Sequence, residues 1–259
     1  MDIEKPVAII TGASSGVGAL TVEKLVEGDY SVVALSRNYD GRLVDIADRL
    51  GVEPIICDVG QASQVREAAE RIKVKHPSIT LLAHFAGMTL RKRFLEATDE
   101  EIDMVVQTNL IGPSLLTRDL IEPLKAGSPS RVLFMSSATK DLPNANSAYY
   151  SVTKGAVRDL ALVAHRDLES LGISVSVLMP GNYDSDGHPF KCSGSIKSRL
   201  TTTNAESVVN IALKEANRTD NGYHEVLIPR TLKLISRFAN RHPQFMARVV
   251  DHARSSPKS

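Results

Sequence analysis

Two adjacent tyrosines, Tyr149 and Tyr150, stand shortly before Lys154 in the stretch NSAYYSVTKGAV. Residues four apart on an α-helix are separated by about 40° of rotation, whereas residues five apart are separated by about 140°. Only Tyr150 can therefore share a helix face with the lysine. A tyrosine phenol has a reference pKa near ~10, and a neighbouring ammonium stabilises the phenolate and lowers that pKa. The pair predicts a general acid at Tyr150. Taken alone, the pattern is weak, and a solvated helix face is its preferred interpretation.

A serine gives this pair a partner. Ser137 follows directly after the apolar run RVLFMS at 131–136. A hydroxyl at the carboxyl end of a parallel strand lies in the crevice where α/β folds bind ligands. There it could polarise a substrate carbonyl while Tyr150 protonates the oxygen. The alternative interpretation of this serine is a cap at the end of the strand.

A glycine-rich turn, TGASSGVG at 11–18, follows the first apolar run, VAII at 7–10. Gly12 permits a tight turn, Gly16 lets the backbone approach a pyrophosphate, and Gly18 lets helix and strand pack closely. The spacing is G-x-x-x-G-x-G, and an ordinary glycine-rich turn is the alternative. The position after a first strand and before a helix favours phosphate binding at the helix N-terminus.

The second apolar run, SVVALS at 31–36, leads into Arg37. An acid at this strand end accepts hydrogen bonds from the ribose hydroxyls of NAD, whereas an arginine suits a 2′-phosphate. Ser36 stands where that acid would be. The sequence therefore predicts NADP(H), with an ordinary surface arginine as the alternative interpretation of Arg37.

Strand and helix patterns alternate along most of the chain. Candidate strands cover 7–10, 31–36, 53–57, 79–85, 131–136, 173–179 and 224–228, and candidate helices cover 16–28, 40–50, 61–75, 99–125, 148–171 and 204–217. Such alternation predicts an α/β fold, a Rossmann-type doubly wound, seven-stranded parallel sheet with helices on both faces. We expect one domain over 1–229 with a lid loop at 181–203, an amphipathic helical extension at 230–252 and a disordered tail at 253–259.

Composition excludes several classes of protein. The 259 residues carry 31 basic and 30 acidic side chains, so the net charge of +1 gives no general attraction to nucleic acid. The N-terminus resembles no signal peptide, and no apolar stretch is long enough to span a membrane. Cys57 and Cys192 have no metal-ligand spacing and suggest a reducing compartment. We expect a cytoplasmic protein that binds no metal.

Several motifs together resemble the short-chain dehydrogenase/reductase family, classical type. These are TGASSGVG, CDV at 57–59, AG at 86–87, Asn109 in TNLIG, Ser137, YSVTK at 150–154 and MPG at 179–181. The resemblance covers about residues 5–228. It implies hydride transfer between a nicotinamide and the carbon of a small-molecule carbonyl or alcohol. It also implies a homodimer or homotetramer formed through helices 99–125 and 148–171.

The resemblance assigns roles to single residues. Tyr150 is the implied acid/base, Ser137 orients the carbonyl, and Lys154 holds the nicotinamide ribose and lowers the tyrosine pKa. Asn109 is the implied helix-kinking residue that holds a relay water. The implied cofactor-binding residues are Gly12, Ser14, Ser15, Gly16, Val17, Gly18, Ser36, Arg37, Asp58, Val59, Ala86, Gly87, Tyr150, Lys154, Pro180, Gly181 and Ser185.

Some residues depart from the family pattern. Phe85 replaces an asparagine that ties the central sheet together, which puts local hydrogen bonding in question. His84 could be a catalytic base, but a structural histidine at a strand end is the preferred interpretation. Ser185 replaces a threonine and keeps its hydroxyl.

The C-terminal segment resembles that of family members acting on lipophilic ketones, such as steroid, long-chain acyl or 3-ketodihydrosphingosine reductases. Its apolar residues could line an entrance or pack on the protein: Leu234, Phe238, Phe245 and Met246. Two other functions stay open. One is a catalytically idle NADP-binding regulator, and the other is a protein that contacts membrane surfaces through its basic C-terminal helix.

Overall fold

The computed structural model describes residues 5–37, 41–141, 145–184, 202–246 and 248–249. Ser185, most of the predicted lid loop and the predicted tail lie outside these residues. Seven parallel strands form one sheet in the order β3-β2-β1-β4-β5-β6-β9, and β7 and β8 form a separate parallel pair. The strands are β1 Val7–Thr11, β2 Ser31–Ser36, β3 Glu53–Ile56, β4 Leu81–His84, β5 Ser130–Met135, β6 Ile173–Pro180, β7 Asn182–Asp184, β8 Thr202–Asn204 and β9 Tyr223–Ile228. The predicted seven-stranded parallel sheet is confirmed.

Helices connect the strands along the described chain. They are α1 Gly16–Glu27, α2 Gly41–Leu50, α3 Ala62–Lys75, α4 Asp99–Val106, α5 Gly112–Asp119, α6 Ile121–Ala126, α7 Ala148–Leu168, α8 Ala205–Ala216 and α9 Leu232–Arg241. The predicted single helix over 99–125 was wrong, because it is three helices with a π-helical turn, Gln107–Ile111, after the first. Pro113 and Pro123 lack the N–H groups that a continuous helix would need at these positions.

The sheet is buried on both faces. Successive strand residues point to opposite sides, so the continuous apolar runs supply two cores. One core joins Ile9, Leu82 and Phe134 to α3, α5 and α7. The other joins Ile10 and Ala83 to α1, α2 and α8. The sheet is thus held rigidly, and its strand ends can place side chains accurately.

His84 belongs to the first core. Its side chain is 3% exposed, its ring stacks on Phe134 with centroids 5.0 Å apart, and its Nε2 lies 2.8 Å from the Thr117 hydroxyl. Burial lowers the pKa of His84 to about 3. These contacts favour the structural interpretation of His84 over the catalytic base. Next to it, β4 pairs with β1 and β5 through His84, and the Ala86 N–H beyond Phe85 donates to the Thr11 hydroxyl over 3.2 Å.

The described residues contain neither a candidate membrane-spanning helix nor a candidate metal site. None of the helices in the ranges given above is long and apolar enough to cross a bilayer. Within the same ranges, no three histidine, cysteine or acidic side chains come together as a metal site would require.

We predict that His84 makes the protein sensitive to acid. The unfolded chain protonates this imidazole below pH 6.5 while the folded chain keeps it neutral down to about pH 3, so stability falls as pH falls through that window. A His84→Gln variant keeps a partner for Thr117 and removes the titration. Between pH 6.5 and 4.5, the free energy of unfolding measured with urea should fall by about 2–3 kcal/mol more in wild type than in the variant. If the unfolding free energy of the two proteins has the same slope against pH, the prediction is contradicted.

Candidate active site

A cavity of about 310 Å³ opens at the carboxyl ends of the strands. Its walls come from residues at or after the ends of β3, β2, β1, β4 and β5, and from Thr108 and Tyr183. The chain order reverses between β1 and β4, and ligands of open α/β sheets bind at such a switch point.

Many of the predicted cofactor residues line this cavity. They are Gly12, Ser14, Ser15, Gly16, Val17, Gly18, Ser36, Arg37, Val59, Ala86 and Gly87. Asp58, Pro180, Gly181, Tyr150 and Lys154 are not among the residues that form its wall. The Asp58 carboxylate instead accepts from the Gly60 N–H over 2.9 Å, and the Gly181 N–H donates to the Ile228 carbonyl over 2.7 Å.

The glycines of the first turn leave no room for side chains. Gly12 has φ +70°, and a Cβ built there would lie 2.7 Å from the backbone nitrogen of Ala86. A Cβ at Gly18 would lie 2.2 Å from the Gly12 carbonyl oxygen. Ser15 caps α1 without a side-chain hydrogen bond among the described residues, and the first turn of α1 carries no acid. The N–H groups of this turn therefore fit an anion such as a pyrophosphate.

Beside the end of β2, the described wall residues include a serine and an arginine and no acid. Ser36 is buried at the end of β2, and Arg37 is exposed beside it, with both residues on the cavity wall. A carboxylate there would repel a 2′-phosphate, whereas a guanidinium can bind one through two parallel hydrogen bonds. The residues present fit NADP(H) in this part of the site.

Tyr150 and Lys154 lie on one face of α7, as helical register predicts. The Lys154 ammonium lies 5.9 Å from the centroid of the Tyr150 ring. It is buried and donates to the Met135 carbonyl oxygen at the end of β5 over 2.8 Å. Burial lowers the pKa of Lys154 to about 8. The lysine thus joins α7 to the strand that precedes Ser137.

The net shift of the Tyr150 pKa is opposite in direction to the predicted one. Burial raises the pKa of Tyr150, and the Ser137 hydroxyl opposes that rise. The Lys154 ammonium lies over the Tyr150 ring and donates to the Met135 carbonyl rather than to the phenol oxygen, so its stabilisation of a phenolate does not outweigh the burial. Tyr150 is therefore a neutral phenol at neutral pH, which is the form that can donate a proton.

Asn109 lies in the π-helical turn, at the interruption that the resemblance implied. Its Oδ1 accepts from the Met88 N–H over 2.8 Å, and its Nδ2 donates to the Met88 carbonyl and to the Thr153 hydroxyl, both over 3.0 Å. The side chain thereby joins the loop after β4 to α7 next to Tyr150. Its role in holding a relay water stays a prediction.

Some residues of the cavity wall were not predicted. They are Leu35, Cys57, Phe85, Thr108, Met135 and Tyr183. Tyr183 lies on β7, and burial, with a smaller contribution from Tyr150 in its phenolate form, raises the pKa of Tyr183 to about 12. Its aromatic ring in the sequence PGNYD was an available signal. Cys57 is a buried neutral thiol, because burial raises its pKa to about 11.

Comparison with known proteins identifies the family. The profile described as short chain dehydrogenase matches residues 6–190. The chain belongs to this family. A 3-oxoacyl-[acyl-carrier-protein] reductase of Salmonella typhimurium is 25% identical over 188 residues, which cover 72% of this chain and 77% of that protein.

Solved structures share the fold of this short-chain dehydrogenase. A short-chain dehydrogenase from Streptomyces avermitilis has a TM-score of 0.81 at 19% identity, covering 99% of this chain and 100% of its own. A metagenomic short-chain oxidoreductase in complex with NADP has a TM-score of 0.74 at 23% identity, covering 86% of this chain and 96% of its own.

We predict that Gly18→Ala destabilises the protein and weakens NADPH binding, because the new methyl group would meet the Gly12 carbonyl. Overpacking of this kind costs about 1–3 kcal/mol in the free energy of unfolding. Gly155→Ala on α7 is the matched control, because its Cβ would meet nothing within 4 Å. In the control we expect a gain of about 0.5–1 kcal/mol from helix propensity. Equal unfolding free energies for the two variants would overturn the steric explanation.

Proposed function

We propose that this short-chain dehydrogenase is an NADPH-dependent carbonyl reductase, acting between a ketone and a secondary alcohol. The observation that carries the proposal is the attachment of Lys154, on the same face of α7 as Tyr150, to the end of β5 next to Ser137, beside the glycine-lined crevice. When bound, the nicotinamide supplies the hydride for the carbonyl carbon. The remaining work is done by side chains of this chain.

Two hydroxyls receive the carbonyl oxygen. In the proposed reaction Ser137 donates a hydrogen bond to that oxygen, which polarises the carbonyl and fixes its orientation. Tyr150 donates its proton as negative charge develops on the oxygen. Because Tyr150 is neutral before the reaction, it enters as the acid. In the reverse direction the same phenol would accept the proton from the alcohol.

Lys154 stabilises the phenolate that this step leaves behind. Because its pKa is about 8, the Lys154 amine is mostly in the protonated ammonium form at pH 7. A positive charge in a buried site interacts strongly with a neighbouring anion, because little water screens it. Lys154 would also reach the nicotinamide ribose next to Gly87, where a Cβ would lie 3.3 Å from the ammonium nitrogen.

The cofactor preference follows from Ser36 and Arg37. Gly12, Gly16 and the N-terminus of α1 would hold the pyrophosphate, while Arg37 would pair with the 2′-phosphate of NADPH. The NADP complex of the metagenomic relative supports this proposal.

A lipophilic ketone is the proposed substrate. On α9, Leu234 is 72% and Phe238 47% exposed, and Phe245 beyond the helix end is 58% exposed. This apolar surface and the 3-oxoacyl reductase relative support a long-chain or polycyclic substrate. We also propose a cytoplasmic location, with which the buried free thiol of Cys57 is compatible, and a homo-oligomer, which the family resemblance implies.

We predict that Tyr150→Phe abolishes reduction of ketones, at least about 10³-fold, because it removes the proton donor. The Kd for NADPH should stay within a few-fold of wild type. Tyr149→Phe is the matched control on the same helix turn, since the Tyr149 ring stacks on Phe94 outside this hydroxyl pair. Turnover is followed as NADPH oxidation with a panel of small ketones, steroids and long-chain 3-keto compounds. Loss of turnover in Tyr149→Phe but not in Tyr150→Phe would reverse the assignment.

A second prediction concerns Arg37. Arg37→Ala should weaken NADPH binding about 10-fold or more, the value of a charge-assisted bidentate contact, while hardly changing the affinity for NADH. Calorimetry with both cofactors measures the two affinities. Equal affinity of the wild-type protein for NADPH and NADH would refute the proposed preference.

A further inference from the structure

The C-terminal helix α9 packs beside the turn that follows Ser137. Leu232 and Ala239, each 1% exposed, are buried on the inner face of α9. Ser236 lies between them on the same face, because positions 232, 236 and 239 share a helical stripe. Its hydroxyl donates to the Asp141 carboxylate. A hydrogen bond thus lies between the buried apolar side chains on the inner face of α9.

Asp141 is a buried acid with two partners. Its residue exposure is 9%, its Oδ1 accepts from the Lys140 ammonium over 2.7 Å, and its Oδ2 accepts from Ser236. Keeping a carboxylate buried after it has lost one such partner costs free energy, because its charge is then less well compensated. Removal of the Ser236 hydroxyl should therefore shift Asp141 toward solvent.

Asp141 also closes the short turn that begins at Ser137. The turn is the 3₁₀-helix Ala138–Lys140, capped by the Ser137 hydroxyl, which accepts from the Thr139 N–H over 3.2 Å. The Lys140 N–H donates to the Ser137 carbonyl over 3.2 Å, and the Asp141 N–H to the Ala138 carbonyl over 3.3 Å. These bonds fix the position of the Ser137 hydroxyl. A displaced Asp141 would loosen them.

We propose that α9 positions Ser137 for the reaction through the Ser236–Asp141 hydrogen bond. Ser236 and Asp141 are positioning residues, since they act on the turn and not on the substrate. The inference rests on the proposed function only in that Ser137 is taken to bind the carbonyl oxygen of the substrate. The extension beyond the last sheet strand is thereby part of the catalytic apparatus.

Hydrogen–deuterium exchange tests the positioning without any substrate. In Ser236→Ala, the amides of Thr139, Lys140 and Asp141 should exchange about ten-fold faster, as expected when a hydrogen bond to a charged group is lost. Amides in the middle of α7 are the internal reference. Asn240→Ala is the control variant, because Asn240 is an exposed residue on the same helix. Unchanged exchange in the turn of Ser236→Ala would overturn the proposal.

Kinetics distinguish positioning from a merely structural contact. With 9,10-phenanthrenequinone as the carbonyl probe, Ser236→Ala should lower kcat about ten-fold and leave the Kd for NADPH unchanged. Ser236→Thr keeps a hydroxyl and should restore kcat, and Asp141→Ala, which removes the acceptor, should behave like Ser236→Ala. Faster exchange with an unchanged kcat would contradict the proposal. If wild type reduces no carbonyl, the proposed function fails, and the exchange experiment alone decides the positioning.

Discussion

The close backbone contact between the first turn and the loop after β4 is the constraint on which the site depends. Gly12 approaches Ala86 so closely that a side chain on Gly12 would collide with it, and Gly18 approaches Gly12 in the same way. These contacts bring the N-terminus of α1 against the sheet at the point where chain order reverses. Without them the crevice would lose the row of N–H groups that suits a pyrophosphate.

A second set of contacts attaches α7, which carries Tyr150 and Lys154, to the same sheet. The Ser136 hydroxyl donates to the Lys154 carbonyl over 2.6 Å, and the Lys154 ammonium donates to the Met135 carbonyl. The end of β5 and the first turns of α7 are thus bonded twice. Because Ser137 follows this strand end and Tyr150 lies on α7, the distance between the two hydroxyls is set by buried polar contacts. Such pre-organisation is what electrostatic catalysis requires.

The sequence was sufficient for the sheet and for the choice of tyrosine. Apolar runs separated by helical patterns predict parallel strands, and the 3.6-residue period selects Tyr150 over Tyr149. The resemblance implied a kink at Asn109, but 99–125 was still predicted as one helix because hydrophobic periodicity continues through it, although Pro113 and Pro123 were visible. The net direction of the Tyr150 pKa shift was also missed, since it depends on burial and on the bond from the Lys154 ammonium to Met135.

Contacts between distant segments were beyond prediction from single motifs. Tyr183 reaches the crevice from the strand pair β7 and β8, and Ser236 reaches Asp141 across 95 positions of sequence. Ser236 belongs to no pattern with a recognised period or spacing, and for Tyr183 the aromatic ring in PGNYD was the available signal. Their contacts become visible only when the tertiary fold places them beside Tyr150 or Ser137.

Transfer of deuterium tests the central claim most directly. The protein is incubated with NADPH that carries deuterium at the reactive face of C4, together with the ketone panel, and the products are analysed by mass spectrometry. The account predicts a secondary alcohol one mass unit heavier, with the deuterium on the carbinol carbon and the hydroxyl proton from solvent. An alcohol without deuterium, or no alcohol from a protein that binds NADPH, would contradict it.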